Sequence, residues 1–450
     1  MKDDTSRRRF FPDGASTRRI LKLGLPIMGG MSTYVLLELI DMVFVGYLGT
    51  VAVATVGISV FLTFSYLALF GGTAIAVQAT TARLVGERAP DDLARFLRTT
   101  LFLIAALTPV GAFVAGWFAR PLLGLMSEDP AVPETGTAYL QWSFAAGIFL
   151  TLNNAFMGYW NATDRPGLYF RVVLLQAAIK LPLNAVLMFG AFGIPAFGVT
   201  GAGMSTCAAA FVGTLFHKIM AAKHAGLYWR GAIRPHLPVI VRLLVPAGAQ
   251  QFLENLALTL MFRVVAMLGT VEVAANTILI NLINTVGLPA WALGAAGATL
   301  VGQALGEKNP EAAHRSAWDV IKVGTVCMLI LGIPLWAAPE PILRIFLHDP
   351  EAIEAAIGPC RLLGVMIGIN GIGYLFANLL YGAGDVKRVM YVNLATQYLI
   401  LLPGAWAVAV FSTWGLFGVL LVHQVAFRAV NAAILTALWQ QRRWADVRLW

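Results

Sequence analysis

Twelve runs of about twenty or more mostly apolar residues divide this sequence. They lie at residues 24–47, 54–82, 99–119, 137–160, 168–190 and 200–222, then at 245–268, 275–303, 320–338, 359–381, 390–411 and 416–438. A helix needs about 20 such residues to cross the hydrocarbon core of a bilayer. Within lipid each backbone polar group must find its partner inside the protein, which leaves helices and closed barrels as the spanning structures. Runs of this length predict an all-α integral membrane protein with twelve transmembrane helices. Composition agrees: 58% of the residues are hydrophobic, only 12% are charged, and the mean hydropathy is +0.74. A soluble domain carries about 25% charged residues.

The net charge of +9 does not point to nucleic acid, because of where the charges fall. Arg83, Arg88, Arg95 and Arg98 follow the second run, Arg165 and Arg171 the fourth, and Lys218, Lys223, Arg230, Arg234 and Arg242 surround the link after the sixth. Lys308, Arg315 and Lys322 follow the eighth, Lys387 and Arg388 the tenth, and Arg442, Arg443 and Arg448 the twelfth. The other connections hold only Arg120 and Arg344. By the positive-inside rule, both termini and every even-numbered connection are expected in the cytoplasm. Segment 1–23, with Lys2, Arg7, Arg8, Arg9, Arg18, Arg19 and Lys22, reads as a cytoplasmic lead-in and not as a cleaved signal. The three cysteines lie in apolar runs and suggest neither disulfides nor a metal site.

The two halves repeat. At an offset of 220, Pro26 matches Pro246, Leu48-Gly49-Thr50 matches Leu268-Gly269-Thr270, Gly86-Glu87 matches Gly306-Glu307, and Asp129-Pro130 matches Asp349-Pro350. At 221, Ala162, Asp164 and Pro182 match Ala383, Asp385 and Pro403. A near-constant offset over most of a half marks a duplication. Six helices per half is an even number, so both halves enter the membrane from the same side, and the repeat is parallel. Transporters built this way place their substrate site between the halves and open it alternately to either side. The expected organisation is a first six-helix bundle over 24–222, a cytoplasmic linker over 223–244 with Gly226, Gly231, Pro235 and Pro238, a second bundle over 245–438, and a cytoplasmic tail over 439–450.

Ionisable residues inside a membrane are costly and are functional candidates by default. The first helix carries Glu38 and Asp41, one turn apart and so on one face. Asp41, with apolar neighbours on both sides, is the leading candidate for a coupling group. Desolvation would raise its proton affinity and a nearby cation would lower it, so it can trade a proton for a bound cation. Glu254 sits in the polar patch Gln250-Gln251-Phe252-Leu253-Glu254-Asn255 of the seventh helix. Its repeat partner is Tyr34, and Asp41's is Met261, so the duplication did not copy these acids. Lys180 shares a face of the fifth helix with Asn184. A buried ammonium needs a partner, and Asp41 is the natural one; a structural pair and a coupling role both fit. Asn154 and Asn370 belong to a larger set of intramembrane amides, most of which hydrogen bonding between helices explains. Asp41, Glu254, Lys180, Asn184, Glu38, Asn370 and Asn154 form the candidate coupling and substrate-binding set, with no metal site and no cofactor.

At these residues the chain resembles a multidrug and toxic compound extrusion (MATE) transporter of the bacterial NorM-like type, over residues 18–440. The markers are Leu25-Pro26, the segment from Asp41 to Val45-Gly46 and Leu48-Gly49, and Gln250-Gln251 with Glu254. Val301-Gly302-Gln303, Leu305-Gly306, Asn309-Pro310-Glu311 and Gly382-Ala383-Gly384-Asp385 complete them. The resemblance implies two pseudo-symmetric six-helix bundles, a central cleft, and export of organic cations or amphiphiles in exchange for protons or sodium ions. It implies a multi-pass protein of the bacterial inner membrane, and a monomer is expected. Asp41 matches the family's first-helix carboxylate and Glu254 its seventh-helix carboxylate. Asn370 falls where many members have an Asp that helps bind sodium, Asn184 near a position acidic in some members, and Lys180 where an Asn ligand is common. A lysine beside Asp41 would occupy the place of a sodium ion, and Asn370 removes an anionic ligand. Proton coupling is therefore expected, with sodium coupling or a lipid-linked oligosaccharide flippase as alternatives.

Two other classes fit less well. Asp91-Asp92 resembles the metal-binding pair of a membrane prenyl transferase, but its repeat counterpart is Glu311-Ala312, and a helix start explains both. No ring of like charges or filter motif suggests a channel. No P-loop or zinc spacing suggests an ATP-driven pump or an enzyme.

Overall fold

The computed structural model describes residues 12–225, 237–347 and 349–449. The basic residues Lys2, Arg7, Arg8 and Arg9, and the linker residues Gly226, Arg230, Gly231, Arg234 and Pro235, lie outside the described residues. The described chain is helical throughout, with only an isolated bridge between Ala191 and Ile194.

Twelve long helices are present among the described residues. In the first half they are α1 (Gly14–Gly46), α2 (Thr50–Gly86), α3 (Pro90–Trp117), α4 (Ala131–Ala162), α5 (Pro166–Phe189) and α6 (Val199–Ala225). In the second they are α7 (Leu237–Ala266), α8 (Thr270–Gly306), α9 (Pro310–Ala337), α10 (Pro350–Ala383), α11 (Val386–Phe411) and α12 (Gly415–Gln440). Ten of them are long and apolar enough to span a bilayer by composition alone. The other two, α4 and α7, are 32 and 30 residues long and hold the polar stretches around Asn153-Asn154 and Gln250-Glu254. The fold is thus an all-α, twelve-helix membrane protein.

Local chemistry sets the helix boundaries. Proline opens α3, α5, α9 and α10, where the missing N–H would have no partner inside the helix. The Asn309 side chain accepts from the Ala312 N–H at 2.9 Å and caps α9. Between α1 and α2, and again between α7 and α8, the chain turns on a glycine with positive φ: Gly49 at 101° and Gly269 at 146°. Asp91 and Asp92 lie in the first turn of α3, where negative charge suits the helix dipole, and Asp92 pairs with Arg95 at 3.4 Å.

The described chain divides into two compact units, one containing Gly29–Phe252 and the other containing Leu253–Leu449 with the start of α1 up to Met28. Packing inside each follows one pattern. In the first, α4 is central, against α2, α3 and α6. In the second, α10 is central, against α8, α9 and α12. The first unit's core gathers Val77, Phe96, Phe156, Trp160, Tyr169 and Ile240. The second unit's gathers Met261, Leu279, Ile283, Leu363, Leu401 and Phe427.

Two helices change unit partway along. α1 does so after Met28 and α7 after Phe252, near Pro26 and Pro246, which correspond in the repeat. The start of α1 is bound by residues of the second unit: Ser16 Oγ donates to Asp319 Oδ2 at 2.7 Å, and Arg19 Nη2 to Gln303 Oε1 at 2.9 Å. The start of α7 packs on α2 of the first unit. There a Cβ on Gly72 would stand 2.6 Å from the Leu244 carbonyl oxygen, an approach that only glycine permits.

Candidate functional site

The first unit holds a charged cluster between α1, α5 and α6. Lys180 and Asn184, four residues apart on α5, point the same way and take one Asp41 oxygen each. Asp41 Oδ2 accepts from Lys180 Nζ, and Oδ1 accepts from Asn184 Nδ2 at 2.6 Å. Asn184 Oδ1 in turn accepts from Ser205 Oγ on α6, which fixes the amide's orientation. Asn184 and Ser205 are fully buried, and the Lys180 and Asp41 side chains are 11% and 19% exposed. The ion pair is therefore nearly dry. Such a pair holds only with good geometry and satisfied hydrogen bonds, which Asn184 and Ser205 supply. Glu38, one turn before Asp41, is exposed and makes no hydrogen bond among the described residues, yet it lies within electrostatic reach of both Lys180 and Asp41.

The second unit answers differently. Asp41, Lys180 and Asn184 correspond to Met261, Leu401 and Ala405, all at most 2% exposed and members of one apolar core. Its polar network lies elsewhere. Glu254 Oε1 accepts from Asn393 Nδ2 at 3.2 Å, and the neighbouring Leu253 carbonyl accepts from the Tyr398 hydroxyl at 2.8 Å. Asn431 donates to Asn393 Oδ1 at 2.9 Å and to Thr396 Oγ1 at 3.0 Å. Asn370 donates to Gln424 Oε1, and Gln424 meets His423 Nδ1 at 3.2 Å. Both α11 and α12 widen to π-helix here, over Gln397–Leu401 and Val422–Phe427; such turns recur at functional sites. Tyr34, the repeat partner of Glu254, donates to Gln176 Oε1 at 2.9 Å. Gln176 corresponds to Gln397, whose Nε2 lies 3.5 Å from the Glu254 carbonyl oxygen. One station in both halves thus joins α1 or α7 to the same glutamine.

Of the sequence candidates, the structure brings Asp41, Lys180 and Asn184 together and sets Glu38 beside them. Glu254 and Asn370 sit in separate parts of the second unit's polar network, bound by Asn393 and Gln424 respectively. Asn154 is half-buried on α4, with no hydrogen bond among the described residues; its neighbour Asn153 bonds the Ala210 carbonyl and Thr214. Ser205, Asn393, Asn431 and Gln424 escaped the sequence reading. Ser205 lies in a run of small residues that reads as close helix packing. Among the described residues no three His, Cys, Asp or Glu side chains gather as metal ligands would.

Known proteins carry the same architecture. The MatE family model matches twice, over residues 26–186 and 246–407, and the two matches start 220 residues apart and end 221 apart. That is the offset of the internal repeat. The chain is 27% identical to a probable multidrug resistance protein NorM of Pseudomonas aeruginosa, over 91% of this chain and 86% of that one. It is 23% identical to a protein of the same name from Thermotoga maritima, over 94% and 93%. Among solved structures, a Vibrio cholerae MATE transporter superposes with a TM-score of 0.89 at 17% identity, over 96% of this chain and 99% of that one. A MOP-superfamily transporter of Pyrococcus furiosus, described as having a binding pocket of reversed polarity, superposes with a TM-score of 0.87 at 20% identity, over 98% and 100%. With the family pattern spanning both halves of a twelve-helix membrane fold, the chain belongs to the MatE family of NorM-like membrane transporters.

Proposed function

We propose that this protein expels organic cations or amphiphilic drugs in exchange for protons, by alternating access of its two six-helix halves. The Asp41–Lys180 pair carries the reading. A sodium ion at Asp41 would need the carboxylate oxygens and the charge position that the Lys180 ammonium and the Asn184 amide already hold. A proton needs neither a vacant coordination shell nor a new counter-charge: it neutralises Asp41 and releases Lys180. The names of the bacterial relatives support drug export. The placement of Lys and Arg supports cytoplasmic termini in a bacterial inner membrane.

The test is transport into everted membrane vesicles of a fluorescent organic cation, driven by an imposed pH gradient or by a sodium gradient. Uptake should follow the pH gradient, disappear in Asp41→Asn, and acquire a sodium response in Lys180→Asn. Sodium-driven transport that survives collapse of the pH gradient would sink proton coupling. No cation transport under either gradient would move the assignment to anionic substrates or to lipid-linked oligosaccharide flipping, for which Lys180 already places positive charge in the site.

A further inference from the structure

Three charges share the cluster of the first unit: Glu38 and Asp41, both on α1, and Lys180 on α5. Asp41 is already matched in charge, since one oxygen holds the Lys180 ammonium and the other holds the Asn184 amide. A substrate cation at Asp41 would therefore have to share it with the ammonium. Glu38 is one helical turn away, exposed, and without a hydrogen bond or direct ion pair among the described residues, while Lys180 and Asp41 both act on it through space. The uncompensated negative charge of the cluster resides on Glu38. A carboxylate in a spanning helix is tolerated where it faces the bundle interior or water, which is where a water-borne cation can reach it. Among the described residues, the Tyr139 phenol on α4 also faces the two carboxylates; the polar neighbours Asn184 and Ser205 carry no charge.

We propose that Lys180 is a mobile counter-ion that moves from Asp41 to Glu38 when Asp41 takes up a proton, and that its arrival expels a cationic substrate from Glu38. This inference rests on the proton-exchange reading above and assigns its parts. Before the switch, Glu38 holds the substrate cation and Asp41 holds Lys180. After it, Asp41 carries a proton and Glu38 holds Lys180. One proton enters and one monovalent cation leaves, so the site stays neutral at both stages, and no unpaired charge is stranded in low dielectric. The long, flexible stem of lysine, ending in a compact charge, suits such a move. Glu38 and Asp41 stand on one face of one helix, so a single ammonium can serve both. The site as built selects cations of single charge, and Glu38 is the residue that selects them.

The experiment is equilibrium binding of tetraphenylphosphonium to the full-length protein in nanodiscs at neutral pH, with cation uptake by wild type in a pH gradient measured alongside. Asn at position 41 imitates the protonated acid, so Asp41→Asn should free Lys180 and weaken binding by about tenfold, within the usual range of coupling between sites. The double variant Asp41→Asn/Lys180→Gln should bind within about threefold of wild type, because the competitor is gone. Glu38→Gln should weaken binding about tenfold in either background, and Glu38→Asp should recover part of the loss. The switch is overturned if the double variant binds as poorly as Asp41→Asn, or if Glu38→Gln binds as wild type does. If the variants behave as expected but wild type moves no cation in a pH gradient, the exchange reading falls and the Lys180 switch stands. A wild type that does not bind the cation at all overturns both.

Discussion

In the unit built from Gly29–Phe252, Asp41, Lys180 and Asn184 meet as a hydrogen-bonded ion pair. At the same stations of the repeat, 220 or 221 residues on, Met261, Leu401 and Ala405 pack in an apolar core. The helices around them correspond one to one, and so does the packing around α4 and α10. The fold therefore needs no charge at this place. Replacing a buried ion pair by well-packed hydrophobic residues is often neutral or stabilising by about 1–4 kcal/mol. The first unit keeps its charges against that gradient, and the second shows what the position looks like when stability alone decides. At this station the charges belong to one half of the duplication.

The largest way to break this contrast is to transplant it. Lys180→Leu alone leaves Asp41 buried without its cation and should destabilise the protein by about 3–5 kcal/mol. The triple change Asp41→Met, Lys180→Leu, Asn184→Ala should restore thermal stability to near wild type while abolishing proton-driven transport. Thermal unfolding in detergent reads the first effect, and vesicle uptake the second. A triple variant as unstable as Lys180→Leu would show that the two stations are not equivalent. Next in size is a backbone comparison. Gly72→Ala should cost about 1–3 kcal/mol, because its Cβ would meet the Leu244 carbonyl oxygen and Ala247 at 2.6 Å. Gly24→Ala in the other unit should cost less than about 1 kcal/mol, since the atom in its way is the Leu293 Cδ2, the movable end of a side chain, at 2.7 Å. Equal losses in unfolding midpoints would contradict this asymmetry.

The smallest expected effect concerns the connections. Burial holds the Asp385 carboxyl above its ordinary value of 3.8, although Arg388, at 3.0 Å, pulls it down. Its contribution to stability is fully present below pH 3.8 and is lost as pH rises through the raised value. Asp385→Asn does not titrate, so wild type should lose ground to the variant over that rise. Unfolding midpoints of wild type and Asp385→Asn across pH would check this, and a flat difference would refute the prediction.

The spanning helices and the duplication were legible in the sequence, because lipid imposes a length of apolar residues that composition reveals directly. Helix ends were less so. α1 begins at Gly14, ten residues before its apolar run, because Ser16 and Arg19 are held by Asp319 and Gln303 and not by lipid. α10 likewise begins at Pro350, nine residues before its run. The contact of Lys180 with Asp41 could be foreseen, since a buried ammonium must find an anion. Ser205 could not, because a serine among Gly201, Ala202 and Gly203 has the look of a residue chosen for size. The π-turns of α11 and α12 left no trace either: they are changes in backbone register, which side-chain periodicity does not report. Asn393 and Asn431, which meet across α11 and α12, lie just outside those turns.

The exchange of helix segments between the units has a consequence for synthesis. Ser16 and Arg19 are made roughly 300 residues before their partners Asp319 and Gln303. The first unit, in turn, is complete only when the opening half of α7 has been translated. Neither half of the nascent chain can close its core from its own six helices. A ribosome paused after residue 225 would hold a bundle with the Gly72 face of α2 uncovered. The same chain cut in the linker should regain a native fold only when both fragments are made in the same membrane. Duplication gave this protein two copies of one design, and the trading of α1 and α7 keeps the copies from maturing apart.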